Sequence, residues 1–195
     1  MSKMRIIGGR YRGRRLSSPR DQSIRPTSER AREALFNILD HAGLIADTRF
    51  LDLFCGTGAV GLEAYSRGAD EVWLIDEDVA LAGINVEALG RPGGVHVRRM
   101  NATRLARPPC RFDVVFMDPP YRSGLATKTL STLDRDWLAD DVLIVVELAA
   151  KETIDLPAGF DVEQDRRYGA ARLIFLRAHH EGEQVGPSSS LENML

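Results

Sequence analysis

The sequence predicts an α/β fold in which a mostly parallel sheet has helices on both faces and ends in an antiparallel hairpin. From residue 49 onward, short apolar runs alternate with helix-forming segments, which is the pattern of parallel strands joined by crossover helices. A glycine-rich turn follows the first of these runs, as at a strand-to-helix junction. The last two runs are separated only by residues 168–170, so they form a hairpin at one edge of the sheet.

The elements can be placed in order along the chain. A helix begins near Ser28, where Glu29 and Glu33 support its first turn, and ends before Gly43. Strands are expected at residues 50–54, 71–76, 95–100, 112–117, 142–147, 160–167 and 171–177. Further helices are expected from the glycine turn to about residue 66, from a cap at Asp78 to residue 89, and over residues 125–133. The run at 112–117 is apolar enough to be the buried central strand.

The 195 residues suit one domain with a small appendage. We divide them into a basic arm at 1–27, a main domain at 28–178 and a tail at 179–195. The arm contains two short apolar-rich segments, residues 4–7 and 14–17, which can form a small hairpin. The tail is rich in small and polar residues, which predicts that it is disordered.

Charge is distributed unevenly along the chain. Residues 1–32 contain ten bases and two acids, a net charge of +8, although the whole chain has a net charge of −2. Nine of the ten bases are arginine, which binds phosphate through two hydrogen bonds and stacks on bases. This asymmetry indicates contact with nucleic acid; the alternative is a solvated basic tail. The expected contact residues in the arm are Arg5, Arg10, Arg12, Arg14 and Arg15.

Composition argues against several classes of protein. No apolar run approaches the roughly 20 residues that a membrane helix needs, and the basic N-terminus lacks the apolar segment of a secretory signal. Cys55 and Cys110 lie far apart and form no metal-ligand pair. We therefore expect a reduced, cytoplasmic protein with neither a metal nor a membrane partner. Nothing in the apolar pattern demands a dimer, so a monomer is expected.

The glycine turn has the spacing G-x-G-x-x-G, given by Gly56, Gly58 and Gly61. Asp76 ends the next predicted strand about 20 residues later, where a carboxylate can accept both hydroxyls of a ribose. The pattern therefore predicts a cofactor that contains a nucleoside. Asp52 favours S-adenosylmethionine over a dinucleotide, because a carboxylate before the turn can hold the cofactor's ammonium group but would repel a pyrophosphate. An ordinary strand-end carboxylate is the alternative for Asp52.

The residues expected around the cofactor belong to this turn and to the segment after the third strand. Asn101 reads the adenine edge or, equally well, caps the turn before Thr103. Cys55 is expected to be a small apolar filler beside the turn. The predicted cofactor-binding residues are Asp52, Phe54, Cys55, Gly56, Thr57, Gly58, Asp76, Asn101 and Ala102.

The tetrapeptide Asp118-Pro119-Pro120-Tyr121 follows the predicted central strand, on the same carboxyl edge as the glycine turn. An amine on an aromatic base is a poor nucleophile, because its lone pair is delocalised into the ring. Asp118 and the carbonyl of Pro119 can accept the amine's hydrogens and aim the lone pair at a methyl group, while Tyr121 offers a face for a flipped base. These four residues are the candidate catalytic residues; a proline loop breaker without catalytic role is the alternative.

These motifs resemble the Rossmann-like amino-methyltransferases, whose signature is [Asn/Asp/Ser]-Pro-Pro-[Tyr/Phe/Trp]. Residues 5–16 and 24–37, with the turn and the tetrapeptide, resemble the RsmD family of 16S rRNA guanine-N2 methyltransferases, and the resemblance covers residues 4–177. It implies a seven-stranded sheet and S-adenosylmethionine as methyl donor. The implied target is the exocyclic N2 amine of one guanine in the small ribosomal subunit or its assembly intermediate. Arg25 and Thr27 are implied to belong to a lid or substrate contact.

Three other functions remain open at this point. A DNA amino-methyltransferase would share every catalytic feature, but we see no target-recognition region of the size that such enzymes usually carry. A dinucleotide-dependent oxidoreductase would leave the tetrapeptide without a role. A non-catalytic RNA-binding assembly factor would have no need of Asp76, Asp118 and Tyr121.

Overall fold

The computed structural model describes residues 4–19 and 29–179. The helices are α1 (Glu29–His41), α2 (Ala59–Ser66), α3 (Ala80–Ala88) and α4 (Leu125–Leu130). The strands are β1 (Arg49–Leu53), β2 (Glu71–Asp76), β3 (Val95–Arg99), β4 (Phe112–Met117), β5 (Leu138–Ala149), β6 (Phe160–Tyr168) and β7 (Ala171–Ala178). None of the helices in these two ranges is long and apolar enough to cross a membrane.

The seven strands form one sheet in the order β3-β2-β1-β4-β5-β7-β6. The first five strands in this order pair in parallel, whereas β7 is antiparallel to both β5 and β6. The predicted α/β class, with a closing antiparallel hairpin, is confirmed. The strand order reverses between β1 and β4, and open α/β sheets bind ligands in the crevice at such a point.

Both faces of the sheet pack against apolar side chains, as a parallel sheet requires. Val114 and Phe116 of β4 face a core shared with α1, α2 and α3, and Val115 and Met117 face a second core shared with α4. All four side chains are at most 1 % exposed. The prediction that residues 112–117 form the buried central strand is therefore confirmed.

Two predicted boundaries are wrong by three or more residues, whereas the others differ from the structure by at most two. Strand β5 begins at Leu138 rather than at residue 142, because Leu138 pairs with Phe112 beyond an irregularity in the ladder between β4 and β5. Helix α4 ends at Leu130 rather than at residue 133, because the amides of residues 132 and 133 bond to carbonyls three residues back. Such bonds make a tighter turn than an α-helix.

The predicted N-terminal hairpin is present and packs into the core. Arg5 lies opposite Arg15 in an antiparallel bridge, and the amides of Ile6 and Leu16 donate across the pair at 3.0 and 2.9 Å. Met4, Ile6 and Leu16 are buried in the same core as α2. The hairpin therefore lies along the domain instead of extending from it. The predicted arm boundary at residue 27, and the predicted tail beyond residue 179, lie outside the described residues.

Helix α2 holds the hairpin through Glu63, whose side chain is fully buried. Its carboxylate accepts the amides of Ile7 and Gly8, each at 2.7 Å, and the side chain of Arg67 at 2.8 Å. Gly9 has a φ of 72°, and a Cβ at this position would lie 1.8 Å from the last carbonyl oxygen of α2. Only glycine lets the chain pass this close to the helix.

Glu63→Ala should lower the free energy of unfolding by about 3–5 kcal/mol, because it leaves two half-buried amides and the Arg67 guanidinium without their acceptor. Urea denaturation measures this loss, and amide hydrogen exchange should accelerate first at Ile7 and Gly8. The matched control is Glu87→Ala, which removes an exposed glutamate paired with Arg91 and should leave the denaturation midpoint unchanged. Equal losses of unfolding free energy in the two variants would contradict the role of Glu63 in holding the hairpin to α2.

Candidate active site

A cavity of about 650 Å³ opens at the carboxyl edge of the sheet, where the strand order reverses. Its wall includes the ends of β1, β2 and β4, the glycine turn with the start of α2, the segment after β3, and Met4 and Pro19 from the hairpin region. A volume of this size suits a small-molecule ligand. The predicted cofactor and catalytic residues that line the cavity are Asp52, Phe54, Cys55, Gly56, Thr57, Asp76, Asn101, Ala102, Asp118, Pro119, Pro120 and Tyr121. Gly58, the remaining predicted residue, instead directly precedes α2.

The glycine turn brings the backbone close to the cavity because three of its residues have left-handed φ angles. These are Phe54 at 60°, Gly56 at 51° and Gly58 at 73°. The conformation is ordinary for glycine but strained for phenylalanine, and such strain concentrates at functional sites. Gly61 serves packing instead: a Cβ there would lie 2.4 Å from the side chain of Leu74, so glycine lets α2 approach β2.

Asp52 lies beneath the turn at 1 % exposure, with one carboxylate oxygen 2.8 Å from the amide of Gly61. Burial, assisted by the nearby charges of Asp118 and Asp76, raises the pKa of Asp52 from its ordinary value of 3.8 to about 8. A cation placed beside this carboxyl group would favour its ionised form. Asp52 therefore fixes α2 to the sheet and can also bind a positively charged group.

Asp76 and Asn101 both take part in the turns that border the cavity. One carboxylate oxygen of Asp76 accepts the amide of Gly56 at 2.8 Å, and the other accepts the amide of Asp78 at 3.2 Å. The side-chain oxygen of Asn101 accepts the amide of Thr103 at 2.7 Å and its hydroxyl at 2.6 Å. These contacts are those of a capping residue, the second of the two roles predicted for Asn101.

Cys55 is a buried thiol beside the turn. Its side chain packs in the core that contains α2, and burial raises the pKa of the thiol above its ordinary range. The thiol therefore stays protonated and packs as a small apolar group. Within the described parts of the chain, no group of three or more His, Cys, Asp or Glu side chains is arranged to hold a metal ion.

The tetrapeptide loop is held in place at both of its ends. The amide of Asp118 donates to the last carbonyl of β1 at 3.4 Å. The carbonyl oxygen of Pro120 accepts the hydroxyl of Ser123 at 2.5 Å. Tyr121 is 37 % exposed in the cavity wall, and its hydroxyl donates to a carboxylate oxygen of Glu147 at 3.5 Å. The loop therefore presents a fixed carboxylate beside a partly open aromatic ring.

Two glutamates that support this loop were not predicted from the sequence. Glu147 is 2 % exposed near the end of β5, one step beyond the residue that pairs with Met117. Glu152 accepts the amide of Arg122 at 2.6 Å and the amide of Ala149 at 3.3 Å. The position of Glu147 could have been inferred, because it ends the predicted strand at 142–147 and parallel strands end at the same edge. The position of Glu152 could not have been inferred in this way, because it lies in no predicted strand or motif.

The predicted RNA-binding arginines lie along the hairpin and outside the cavity wall. The exposed ones include Arg5, Arg12, Arg14 and Arg15. Arg10 is also exposed, but its guanidinium stacks over the ring of Tyr65 at 4.0 Å and donates to the carbonyl of the same residue at 3.3 Å. Arg10 therefore binds the hairpin tip, residues 9–12, to α2. Arg25 and Thr27, with the lid predicted around them, lie outside the described residues.

The position of an Asp-Pro-Pro-Tyr loop at the switch point of a seven-stranded sheet assigns the protein to the Rossmann-like methyltransferase class. Comparison with known proteins narrows this class to one family. The chain belongs to the family described as conserved hypothetical protein 95, which matches residues 4–177. This is the RsmD family whose motifs the sequence resembles.

Relatives of known name cover almost the whole chain. Ribosomal RNA small subunit methyltransferase D of Escherichia coli K12 is 38 % identical, over 93 % of this chain and 93 % of its own length. The protein of the same name from Haemophilus influenzae is 32 % identical, over 86 % of this chain and 90 % of its own. The solved structure of the Escherichia coli methyltransferase yhhF has a TM-score of 0.77 and 38 % identity, and covers 92 % of this chain and 100 % of its own.

The raised pKa of Asp52 should make stability depend on pH in a specific direction. The folded protein retains a proton on Asp52 up to a pH of about 8, whereas the unfolded chain releases it near 3.8. Because the folded state binds more protons, this contribution to the free energy of unfolding decreases as pH rises from about 4 to about 8. Asp52→Asn stays neutral and still accepts the Gly61 amide, so it should remove that decrease. Urea denaturation of the wild type and of Asp52→Asn across this pH range, without cofactor, measures the decrease in unfolding free energy. Parallel pH profiles of the two proteins would contradict the assigned pKa.

Proposed function

We propose that this protein transfers a methyl group from S-adenosylmethionine to the exocyclic N2 amine of a guanine in 16S rRNA, within the small ribosomal subunit or its assembly intermediate. The observation that carries the proposal is that one cavity contains both Asp76, suited to a ribose, and the Asp118–Tyr121 loop, suited to an amine on a flipped base.

The chemistry of the cavity fits S-adenosylmethionine better than a phosphate-bearing cofactor. Asp52 and Asp76 both line it, and carboxylates favour a ligand that carries an ammonium and a sulfonium and has no phosphate. In the bound state Asp76 would accept the ribose hydroxyls and Asp52 would hold the ammonium group, directly or through water. When bound, the cofactor supplies an activated methyl group on a positively charged sulfur.

Asp118 and Tyr121 would act on the target base. The Asp118 carboxylate and the Pro119 carbonyl can accept the two hydrogens of the amine, which directs the nitrogen lone pair toward the methyl group. The ring of Tyr121 can stack on the base and orient it, since its partly exposed face lies in the cavity wall. Positioning and exclusion of water then supply much of the rate, and no metal is needed for this step.

An RNA substrate is supported by two independent observations. The relatives at 38 % and 32 % identity are named ribosomal RNA small subunit methyltransferase D, and the family match over residues 4–177 includes both the hairpin and the Asp118–Tyr121 loop. The exposed arginines of the hairpin give the surface the positive charge that phosphate contact requires. We propose that the protein acts on this substrate as a monomer in the cytoplasm.

The proposal is tested by offering the purified protein isotopically methyl-labelled S-adenosylmethionine with undermethylated small subunits, naked 16S rRNA or duplex DNA. Nucleoside mass spectrometry then identifies the product. Label in N2-methylguanosine from subunits or rRNA is the expected result. Label in N6-methyladenine or N4-methylcytosine of DNA would replace the proposed substrate by the DNA alternative. Cofactor binding without any labelled product from these substrates would favour a non-catalytic assembly factor.

Asp118→Ala should reduce methyl transfer by at least about a hundredfold, because the amine loses an acceptor aimed at it in the transition state. Asp118→Asn keeps an acceptor oxygen at the same place and should retain part of the activity. Single-turnover rates at saturating cofactor measure both variants, and calorimetric titration should give each nearly the wild-type cofactor affinity. A parallel loss of cofactor affinity and rate would show that Asp118 supports the cofactor rather than the amine.

Cofactor affinity should rise with pH up to about 8. Below that pH Asp52 is protonated in the free protein, so a bound cation must displace its proton, at a cost of up to about tenfold in affinity per pH unit. Calorimetric titration between pH 6 and 9 measures the slope and the proton released. Asp52→Asn should remove this part of the pH dependence while leaving any part that comes from the cofactor's own amine. Identical slopes would place the cation away from Asp52.

A further inference from the structure

The cavity poses an electrostatic problem for an RNA substrate. Five acidic side chains line it, and none of the described residues in its wall is a lysine or arginine; they are Asp52, Asp76, Glu77, Asp78 and Asp118, of which Asp52 is ionised once a cation lies beside it. This arrangement attracts a cationic cofactor but repels the phosphates that accompany a flipped nucleotide. Cations at the mouth of the cavity must therefore offset the repulsion.

Arg122 is placed to provide such a charge. It directly follows Tyr121, which lines the cavity, and its side chain is exposed. Its guanidinium forms no hydrogen bond or ion pair with another described residue. Two other exposed arginines are engaged within the protein, Arg111 by Asp140 and Arg91 by Glu87, whereas Arg122 lies next to a residue of the cavity wall.

The backbone at Arg122 is held in a conformation that costs energy for any residue except glycine. Its φ is 56°, in the left-handed region. Glu152 enforces this conformation by accepting the Arg122 amide at 2.6 Å while its other oxygen accepts Ala149 at 3.3 Å. Glycine would fit the turn without strain, as Gly124 does with a φ of 67° two residues later. A long cationic side chain at a strained position is consistent with a function for that side chain.

We propose that Arg122 binds a backbone phosphate of the target nucleotide and that Glu152 is the positioning residue that aims it. This inference rests on the proposed RNA substrate. Arginine suits the task because its planar guanidinium donates two parallel hydrogen bonds to a phosphate and remains charged at every physiological pH. Stacking of the base on Tyr121 and contact of the adjacent phosphate with Arg122 would fix the nucleotide at two neighbouring points.

The test compares Arg122→Ala, Arg122→Gly and Arg122→Lys with the control Arg135→Ala. Arg135 is exposed and precedes β5, at the opposite edge of the sheet. Filter retention of 16S rRNA or small subunits gives affinity as a function of salt, and single-turnover methylation gives the concentration for half-maximal rate. Ala and Gly should weaken RNA affinity about ten- to a hundredfold and reduce the salt slope by about 0.7. Lys should recover part of the affinity, and cofactor affinity should not change in any variant.

The outcomes separate this inference from the proposed function. If the wild type methylates rRNA and Arg122→Ala behaves like Arg135→Ala in affinity and salt slope, the phosphate contact is overturned. If the wild type methylates none of the substrates, the proposed function fails, while filter retention still decides whether Arg122 contacts RNA. Arg122→Gly relieves backbone strain, so a loss of RNA affinity with unchanged thermal stability cannot be attributed to misfolding.

The positioning role of Glu152 is tested by a separate set of variants. Glu152→Gln keeps an oxygen that can accept the Arg122 amide and should retain RNA affinity, whereas Glu152→Ala should lose it nearly as Arg122→Ala does. In a double-mutant cycle, Glu152→Ala added to Arg122→Ala should cost little further RNA affinity. Full additivity of the two losses would show that Glu152 does not act through Arg122.

Discussion

Helix α2 is bound to the sheet by a buried hydrogen bond from the Gly61 amide to the Asp52 carboxylate, at 2.8 Å. The bond can form only because residue 61 lacks a side chain and the helix can lie directly on β2. The position of α2 in turn sets the place of Glu63, which holds the hairpin. The cofactor cavity, helix α2 and the hairpin thus depend on one contact. Loss of the Asp52 carboxyl group should therefore alter the position of the hairpin as well as the cavity.

Acidic and basic side chains occupy different surfaces of the protein, the acids at the cavity and the arginines on the hairpin. The carboxyl edge gathers acids because the proposed cofactor is a cation, and burial of Asp52 raises its pKa so that the protein need not bury an uncompensated charge when the cavity is empty of ligand. The hairpin surface gathers arginines, which face solvent. The net charge of −2 is the sum of these opposite charges and does not indicate a nucleic-acid partner. The distribution of charge along the chain does indicate one.

Elements that depend on local pattern could be predicted from the sequence, and those that depend on distant partners could not. The bounds of β2 and β4 match the prediction, since an acid marks the end of each apolar run: Asp76 is the last residue of β2, and Asp118 directly follows β4. The start of β5 was missed because it is set by pairing with Phe112 across an irregular ladder. The cavity wall was predictable because motifs after parallel strands meet at one edge. The stacking of Arg10 on Tyr65 was not, because no spacing rule links residues 55 positions apart.

The direction of the hairpin bears on what kind of RNA the protein can recognise. Its open end lies at the cavity, where Met4 forms part of the wall, and its tip lies against Ser66 at the far end of α2. An eight-residue helix is about 12 Å long, so Arg12 near the tip lies well away from Tyr121. A short single strand in the cavity would leave the tip arginines without phosphate. A folded RNA, with several phosphates on one surface, could contact the base of the hairpin, its tip and the mouth of the cavity together. The placement of these charges therefore favours recognition of RNA shape over recognition of a local sequence.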